Sequence, residues 1–152
     1  MRREASKVIL IVDDDEDDRL MARDALTAGG TDPEDLRFVC DGEELMNYLQ
    51  RTGTYAGETS PPRPGLILLD LNMPRKDGRT ALKEIKSNPA LRDIPIVILS
   101  TSEENEDISQ SYAVGGNSFV KKPDSYKRLV DKLREISHYW FETVELPELH
   151  TR

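Results

Sequence analysis

Short apolar runs separated by amphipathic stretches are the feature that most constrains the fold of this chain. The run VILIV at residues 8–12 has no polar alternation, which indicates a strand that is buried on both faces. Four further runs are read as strands: LRFVC at 36–40, LILLD at 66–70, IPIVILS at 94–100 and SFVKK at 118–122. Strands that alternate with helical patterns are typical of parallel sheets covered on both faces. We therefore predict an α/β fold.

Amphipathic stretches follow each of the five runs. The first predicted helix opens in the acidic run at 13–18 and carries Leu20, Ala25 and Leu26 as apolar residues. Residues 41–49 are predicted to form a turn that leads into the second helix. The other three helices are predicted at about 79–88, 103–114 and 125–141. With the second strand at one edge, the predicted sheet order is 2-1-3-4-5. This is a flavodoxin-like, doubly wound (βα)5 arrangement, a three-layer sandwich.

Length and composition favour a single domain of an acidic protein. The chain has 152 residues, and we predict one domain with a core at about 7–140, a long loop at 51–65 and a C-terminal tail at 141–152. The net charge of -8 argues against a nucleic-acid partner, and no apolar run is long enough to span a membrane. Cys40 is the only cysteine, which excludes an internal disulfide. We expect a cytoplasmic protein.

Polar residues that could form one site stand at the ends of the first, third, fourth and fifth predicted strands. Asp13 and Asp14 follow the first, Asp70 the third, Ser100 the fourth and Lys122 the fifth. In parallel α/β sheets the carboxyl ends of the strands share one edge, where ligands bind. The sequence therefore predicts a common pocket with three carboxylates, a hydroxyl and an ammonium group.

Three neighbouring carboxylates need a cation, because like charges raise one another's pKa. Mg²⁺ prefers oxygen ligands and retains positions for water and phosphate, so we predict Mg²⁺ as the cofactor. A carboxylate nucleophile, a divalent cation and a lysine are together suited to accept a phosphoryl group. Asp70 ends the central strand and is the predicted nucleophile, with Lys122 as the cation for a phosphoryl oxygen.

The same acids also have less specific explanations. Residues 15–18 are acids at the start of a helix, where the helix dipole favours them, so a solvated helix start is preferred for these four over direct metal ligation. Taken singly, Asp13, Asp14 or Asp70 could each cap a helix or form a turn. Convergence of all three with Lys122 favours the phosphoryl-accepting site.

Four segments resemble the signature blocks of response-regulator receiver domains, in order and at the expected intervals. They are VDD at 12–14, LLDLNMPRKDG at 68–78, ILSTS at 98–102 and VKKP at 120–123. The resemblance extends from about Lys7 to Trp140. It implies that a histidine kinase is the partner and that Asp70 is the residue it phosphorylates.

The resemblance also implies roles for single residues at the pocket. Asp14 and Asp70 would bind Mg²⁺ together with the backbone carbonyl of Asn72, and Asp13 would act through water. Lys122 would pair with the phosphoryl group.

Two further residues would act as switches, and one peptide bond would be unusual. Ser100 would bond the phosphoryl group in the active state, and Phe119 stands where the family places its aromatic switch residue. Phe119 lacks the hydroxyl of a tyrosine and therefore cannot make a phenolic hydrogen bond. The bond between Lys122 and Pro123 would be cis.

A narrower likeness concerns the loop at 51–65, the phrase MPRKDG, the stretch STSEENEDI and the ending YWFETVELP. These are similar to single-domain regulators that pair with bacterial and cyanobacterial phytochromes, which implies a bacteriophytochrome as the kinase. Such regulators are dimeric, and apolar residues continue past the expected end of the domain. We predict a homodimer through Leu133, Ile136, Trp140 and Phe141, with a tail folded onto its own subunit as the alternative.

Two other functions remain open from the sequence. The main prediction is a stand-alone receiver that is not an enzyme beyond its own phosphorylation and dephosphorylation. A phosphohydrolase with an aspartyl-phosphate intermediate commonly needs an acid two residues after the nucleophile, where this chain has Asn72. The other alternative is an interaction scaffold that is never phosphorylated.

Overall fold

Five parallel strands form the central sheet of the computed structural model, which describes residues 6–57, 61–102 and 104–147. The strands are β1 (Ile9–Val12), β2 (Leu36–Val39), β3 (Leu66–Leu69), β4 (Ile96–Ser100) and β5 (Ser118–Lys121). Their order is β2-β1-β3-β4-β5, and every neighbouring pair is parallel. The predicted sheet order is confirmed.

The strands alternate with five α-helices, most of which begin at an aspartate or serine cap. The helices are α1 (Glu16–Ala28), α2 (Gly42–Gln50), α3 (Gly78–Ser87), α4 (Asn105–Ala113) and α5 (Tyr126–His138). The side chains that accept backbone N–H bonds of the first turn are Asp15, Asp41, Asp77 and Ser125. The predicted helix at 125–141 is α5 followed by a π-helical turn at Tyr139–Thr143.

Side chains of each strand alternate between two cores, one on each face of the sheet. In β1, Leu10 and Val12 belong to the core covered by α2 and α3, whereas Ile9 and Ile11 belong to the core covered by α1 and α5. Both faces of β1, β3 and β4 are buried, in keeping with their continuous apolar sequences. The three-layer sandwich is confirmed, and it leaves the carboxyl ends of the strands as the free rim.

Leu20 is an apolar residue of α1 that lies outside the buried face of the helix. Its side chain is 48% exposed, and the buried residues of the helix are Ala22, Ala25 and Leu26. Leu20 precedes Ala25 by five residues, which places it about 140° away around a helix that turns 100° per residue. The two side chains therefore cannot share one face.

Two residues predicted for a dimer surface lie inside the subunit. Leu133 is fully buried and Ile136 is 8% exposed, both in the core between α5 and the sheet. They are unavailable to a partner because the apolar face of α5 is what covers this side of the sheet. Trp140 and Phe141 are partly buried against the same core, and Leu146 of the tail is buried.

The loop at 51–65 is attached to the body of the protein at several points, and residues 58–60 lie outside the described residues. It contains a 3-10 turn at Gly53–Tyr55. Tyr48 donates to the carbonyl of Pro62 at 2.8 Å, and Arg63 forms an ion pair with Asp93 at 2.8 Å. Among the helices that the structure describes, none has the length and apolar character needed to cross a membrane.

Candidate phosphoryl-acceptor and metal site

Three carboxylates converge at the carboxyl ends of β1 and β3. Asp13, Asp14 and Asp70 each offer an oxygen, and these oxygens all lie within 4.8 Å of one another. The strands align them, because the N–H of Asp70 bonds the carbonyl of Val12 at 3.0 Å and so continues the pairing of β3 with β1. The structure thus brings together the three acids that the sequence predicted for one pocket.

The three acids differ in burial and bonding. Asp13 is buried, and its Oδ1 accepts the N–H of Asp15 at 3.0 Å. Asp70 is half-buried, and its Oδ1 accepts only a long bond of 3.4 Å from the N–H of Asn72. Asp14 is exposed at the rim. Among these acids, Asp13 is therefore the fixed member and Asp14 the one that faces solvent.

Asp70 is the acid with a strongly perturbed pKa. Burial and the neighbouring charge of Asp13 raise its pKa from 3.8 to about 6, although Lys122 opposes the shift. Like charges at short distance disfavour the ionised form of each other, and a bound cation relieves this repulsion. An elevated pKa at the end of the central strand is typical of a functional group.

Lys122 reaches the pocket from the end of β5, whereas Lys121 is exposed. Its Nζ donates to Asp13 Oδ2 at 2.7 Å and to Asp18 Oδ2 at 3.1 Å. Burial acts to lower the pKa of Lys122, but the bonds and charges of Asp13, Asp18 and Asp70 together outweigh burial, so the pKa is raised. Lys122, Asp13, Asp18 and Asp70 line one small pocket.

Asp18 is a pocket residue that the sequence analysis missed. The sequence places it among the acids of a solvated helix start, and Asp15 is the N-cap of α1. Asp18 lies in the first turn of α1, directly after the loop that carries Asp13 and Asp14, and this closeness in the chain is the signal for its place near the pocket. Its carboxylate shares Lys122 with Asp13.

Asn72 lies in the loop after β3, and Ser100 ends β4, the strand that pairs with β3. Asn72 is exposed, and its side-chain Oδ1 accepts from the Arg79 guanidinium at 3.4 Å. Ser100 is fully buried at the end of β4, where its Oγ accepts the N–H of Ser102 at 3.2 Å. The roles predicted for both residues in binding metal and phosphoryl group stay predictions.

Phe119, the predicted aromatic switch, packs against the core under α3 and is partly buried. Its N–H donates to the hydroxyl of Tyr112 on α4 at 3.1 Å. A phenolic hydroxyl is therefore present at this edge of the sheet, but it belongs to Tyr112 and not to Phe119.

No peptide bond of the described residues is cis, which contradicts the predicted cis bond before Pro123. Trans is the intrinsic preference of such bonds, by about 0.5–1 kcal/mol.

The donor set suits a hard divalent cation. Three carboxylates in reach of one point provide oxygen ligands and an excess of negative charge, of which the single ammonium of Lys122 compensates only part. Asp13, Asp14 and Asp70 could hold such an ion while the exposed side at Asp14 remains open to water and phosphate.

Comparisons with known proteins agree with this site. The family model described as "Response regulator receiver domain" matches residues 9–134. The response regulator Rcp1 of Synechocystis sp. is 43% identical over 141 residues, which are 93% of each chain. The crystal structure of the phosphorylated cyanobacterial phytochrome response regulator RcpA aligns with a TM-score of 0.86 at 41% identity, covering 94% of this chain and 99% of the other. The Mn²⁺-bound form of Rcp1 aligns with a TM-score of 0.81 at 42% identity, covering 92% and 98%.

Proposed function

This chain belongs to the response-regulator receiver family and serves as a receiver in two-component signalling, and from that premise we propose that Asp70 accepts the phosphoryl group, with Mg²⁺ as the cofactor. The observation that carries the proposal is the convergence of three carboxylates within 4.8 Å, with the Lys122 ammonium bound to one of them. Such a constellation suits phosphoryl transfer, in which catalysis is chiefly positioning and charge neutralisation.

The proposed reaction is a transfer from the phosphohistidine of a kinase. A carboxylate oxygen of Asp70 attacks phosphorus, the new O–P bond forms as the P–N bond breaks, and the electron pair returns to the imidazole nitrogen. A carboxyl group with a pKa of about 6 is mostly ionised at neutral pH, so the nucleophile is available. Asp70 is favoured over Asp13 because Asp13 is already held by Lys122 and by the N–H of Asp15.

The remaining pocket residues position the reacting groups. Asp14 and Asp70, with the backbone carbonyl of Asn72, would hold Mg²⁺ directly, and Asp13 would act through water. The bound ion would supply positive charge for the carboxylates and the phosphoryl oxygens. Lys122 would exchange part of its bonding to Asp13 for a phosphoryl oxygen, and Ser100 would donate to another.

We propose a phytochrome-type histidine kinase as the phosphoryl donor. The support is the likeness, at 41% identity over 94% of this chain, to RcpA, which is named as a cyanobacterial phytochrome response regulator. The output would pass through protein contact at α4, β5 and α5.

A homodimer through the partly exposed Trp140 and Phe141 is also proposed, and light scattering on the purified protein measures its assembly state.

Incubation with Mg²⁺ and phosphoramidate, followed by intact-mass analysis, tests the proposed function. We expect one added phosphoryl group on the wild type and none on Asp70→Asn. The matched control is Asp17→Asn, an exposed acid of the same region, which should be labelled like the wild type. Catalytic turnover of phosphate esters would instead support a hydrolase, and an absent adduct with folded protein would support a scaffold.

A further inference from the structure

A second acid shares the ammonium group of Lys122 with Asp13. Asp18 Oδ2 lies 3.1 Å from Lys122 Nζ, and the corresponding distance to Asp13 Oδ2 is 2.7 Å. The side chain of Asp18 is 31% exposed, whereas that of Asp13 is 9% exposed. Asp18 therefore holds the same cation through a longer and more solvated bond, which is the weaker of the two.

The first turn of α1 fixes Asp18 in this position. Its backbone N–H donates to Oδ1 of the cap residue Asp15 at 3.3 Å. The next residue, Arg19, donates from Nη1 to the backbone carbonyl of Asp13 at 2.7 Å, which ties the same turn to the loop after β1. Because this end of the helix is already held at two points, only a short side chain has to be ordered for Asp18 to bond Lys122.

The pocket around the ammonium group is largely apolar. Ala22, Leu99 and Leu129 line it together with Lys122, whose side chain is only 12% exposed. Charges in such surroundings are less screened by solvent than charges at the surface. The position of the ammonium group therefore depends on which negative charges compete for it.

Asp18 differs from Asp13 in its relation to the metal site. Oxygens of Asp13, Asp14 and Asp70 lie within 4.8 Å of one another, and Asp18 lies outside this group of described acids. A cation bound by the group shares the charge of Asp13 and so weakens the hold of Asp13 on Lys122. The charge of Asp18 stays with Lys122, so Asp18 is the acid that still opposes transfer of the ammonium group to a phosphoryl oxygen.

We propose that Asp18 is a positioning residue that competes with the phosphoryl group for Lys122 and thereby weakens the phosphorylated state. This inference rests on the proposed function, because the competing ligand is a phosphoryl group on Asp70. An acid that bonds Lys122 more strongly when phosphoryl oxygens are absent stabilises the unphosphorylated state. Removal of that acid should shift the equilibrium toward the phosphorylated state.

Binding of beryllofluoride, a tetrahedral anion that mimics a phosphoryl group on a carboxylate oxygen, tests the competition. Fluorine NMR at saturating Mg²⁺ measures the fraction of protein that carries the anion. We expect Asp18→Asn to bind beryllofluoride about fivefold more tightly than the wild type, because one partly exposed bond to Lys122 is lost. The matched control is Asp17→Asn, which removes the same charge from the same helical turn and should bind like the wild type.

The possible results separate the competition from the proposed function. Equal affinity in Asp18→Asn and the wild type would overturn the competition alone, as would an equal gain in Asp17→Asn. Weaker binding by Asp18→Asn would also overturn it, because Asp18 would then hold Lys122 in place for the phosphoryl group. A wild type that binds no beryllofluoride would contradict the proposed function, and the competition would fail with it.

The bond between Asp18 and Lys122 has a separate readout that needs neither metal nor phosphate. Proton–nitrogen NMR spectra record the ammonium signal of Lys122, which is identified by its absence in Lys122→Arg. We expect the ammonium protons to exchange with water about threefold faster in Asp18→Asn than in the wild type or Asp17→Asn, because hydrogen bonding protects them. Unchanged exchange in Asp18→Asn would overturn this bond and with it the competition.

Discussion

Asp70 experiences two opposing charges, the carboxylate of Asp13 and the ammonium of Lys122. Burial and Asp13 act to raise its pKa and Lys122 to lower it, and the net pKa is about 6. Lys122 compensates incompletely because its Nζ is bonded to Asp13 and Asp18 instead. At neutral pH the folded, metal-free protein therefore carries an unfavourable charge at the position that we propose as the acceptor.

This conflict predicts how Asp70→Asn alters stability with pH. An acid whose folded pKa lies above its unfolded pKa contributes stability that is present below pH 3.8 and lost as the pH rises through about 6. In metal-free buffer, the stability of Asp70→Asn relative to the wild type should therefore rise by about 1 kcal/mol between pH 4.5 and 7.5, since solvent screens part of the charge of this half-buried group. Urea unfolding at both pH values measures this gain, and Asp17→Asn is the control. A difference in unfolding free energy between Asp70→Asn and the wild type that does not vary with pH would contradict the raised pKa of Asp70.

At the scale of elements, the loop after β3 is fixed by close backbone contacts at two glycines. A Cβ on Gly78, at the start of α3, would lie 2.2 Å from the carbonyl oxygen of Asp70. A Cβ on Gly42, at the start of α2, would lie 2.1 Å from the carbonyl oxygen of Lys76. Both helices thus approach the loop that carries the proposed acceptor, and only glycine permits that distance.

Gly78→Ala should consequently disturb both stability and the acceptor. The methyl group meets backbone atoms that cannot rotate away, so we expect a loss of about 2–4 kcal/mol and slower labelling by phosphoramidate. Gly29→Ala is the matched control, because its Cβ would meet the flexible side chain of Arg134 and φ is negative there. Unfolding curves and labelling rates of both variants provide the measurement. Equal effects in the two variants would contradict the specific role of Gly78.

The secondary-structure elements and the residues at the strand ends could be predicted because each depends on a local pattern in the sequence. The strands β1, β3 and β4 follow from continuous apolar runs, and β2 and β5 follow from shorter apolar stretches that include charged residues. Asp13, Asp70 and Lys122 follow from their positions directly after strands. The exposure of Leu20 shows that an apolar residue in a predicted helix need not face the core, because its angle around the helix decides its burial. The strand order was predictable because the fold class restricts it.

Contacts between distant side chains were not accessible from the sequence. Arg79 and Asp107 are 28 residues apart, and Lys122 and Asp18 are 104 residues apart. Each pair depends on how two elements are placed and on which rotamers then meet, and no local pattern encodes this. The dimer prediction failed at Leu133 for a related reason, since an apolar side chain suits either a core or an interface.

Across the whole molecule, the two ends of the sheet differ in chemistry. The carboxyl ends of the strands carry the three acids and Lys122. At the opposite end the tail returns to the body, where Leu146 is buried near Gly65, just before β3. Through this contact the tail covers its own subunit. This is the arrangement given above as the alternative to a homodimer.

Removal of this contact should lower stability without dependence on protein concentration. Leu146→Ala deletes a buried side chain, and we expect a loss of about 2–3 kcal/mol in the free energy of unfolding. Leu20→Ala makes the same change at a site that is 48% exposed and should cost less than about 0.5 kcal/mol. Urea unfolding at protein concentrations a hundredfold apart distinguishes the two tail arrangements. A tail exchanged between subunits would make the effect of Leu146→Ala depend on concentration, because unfolding would then be linked to dissociation.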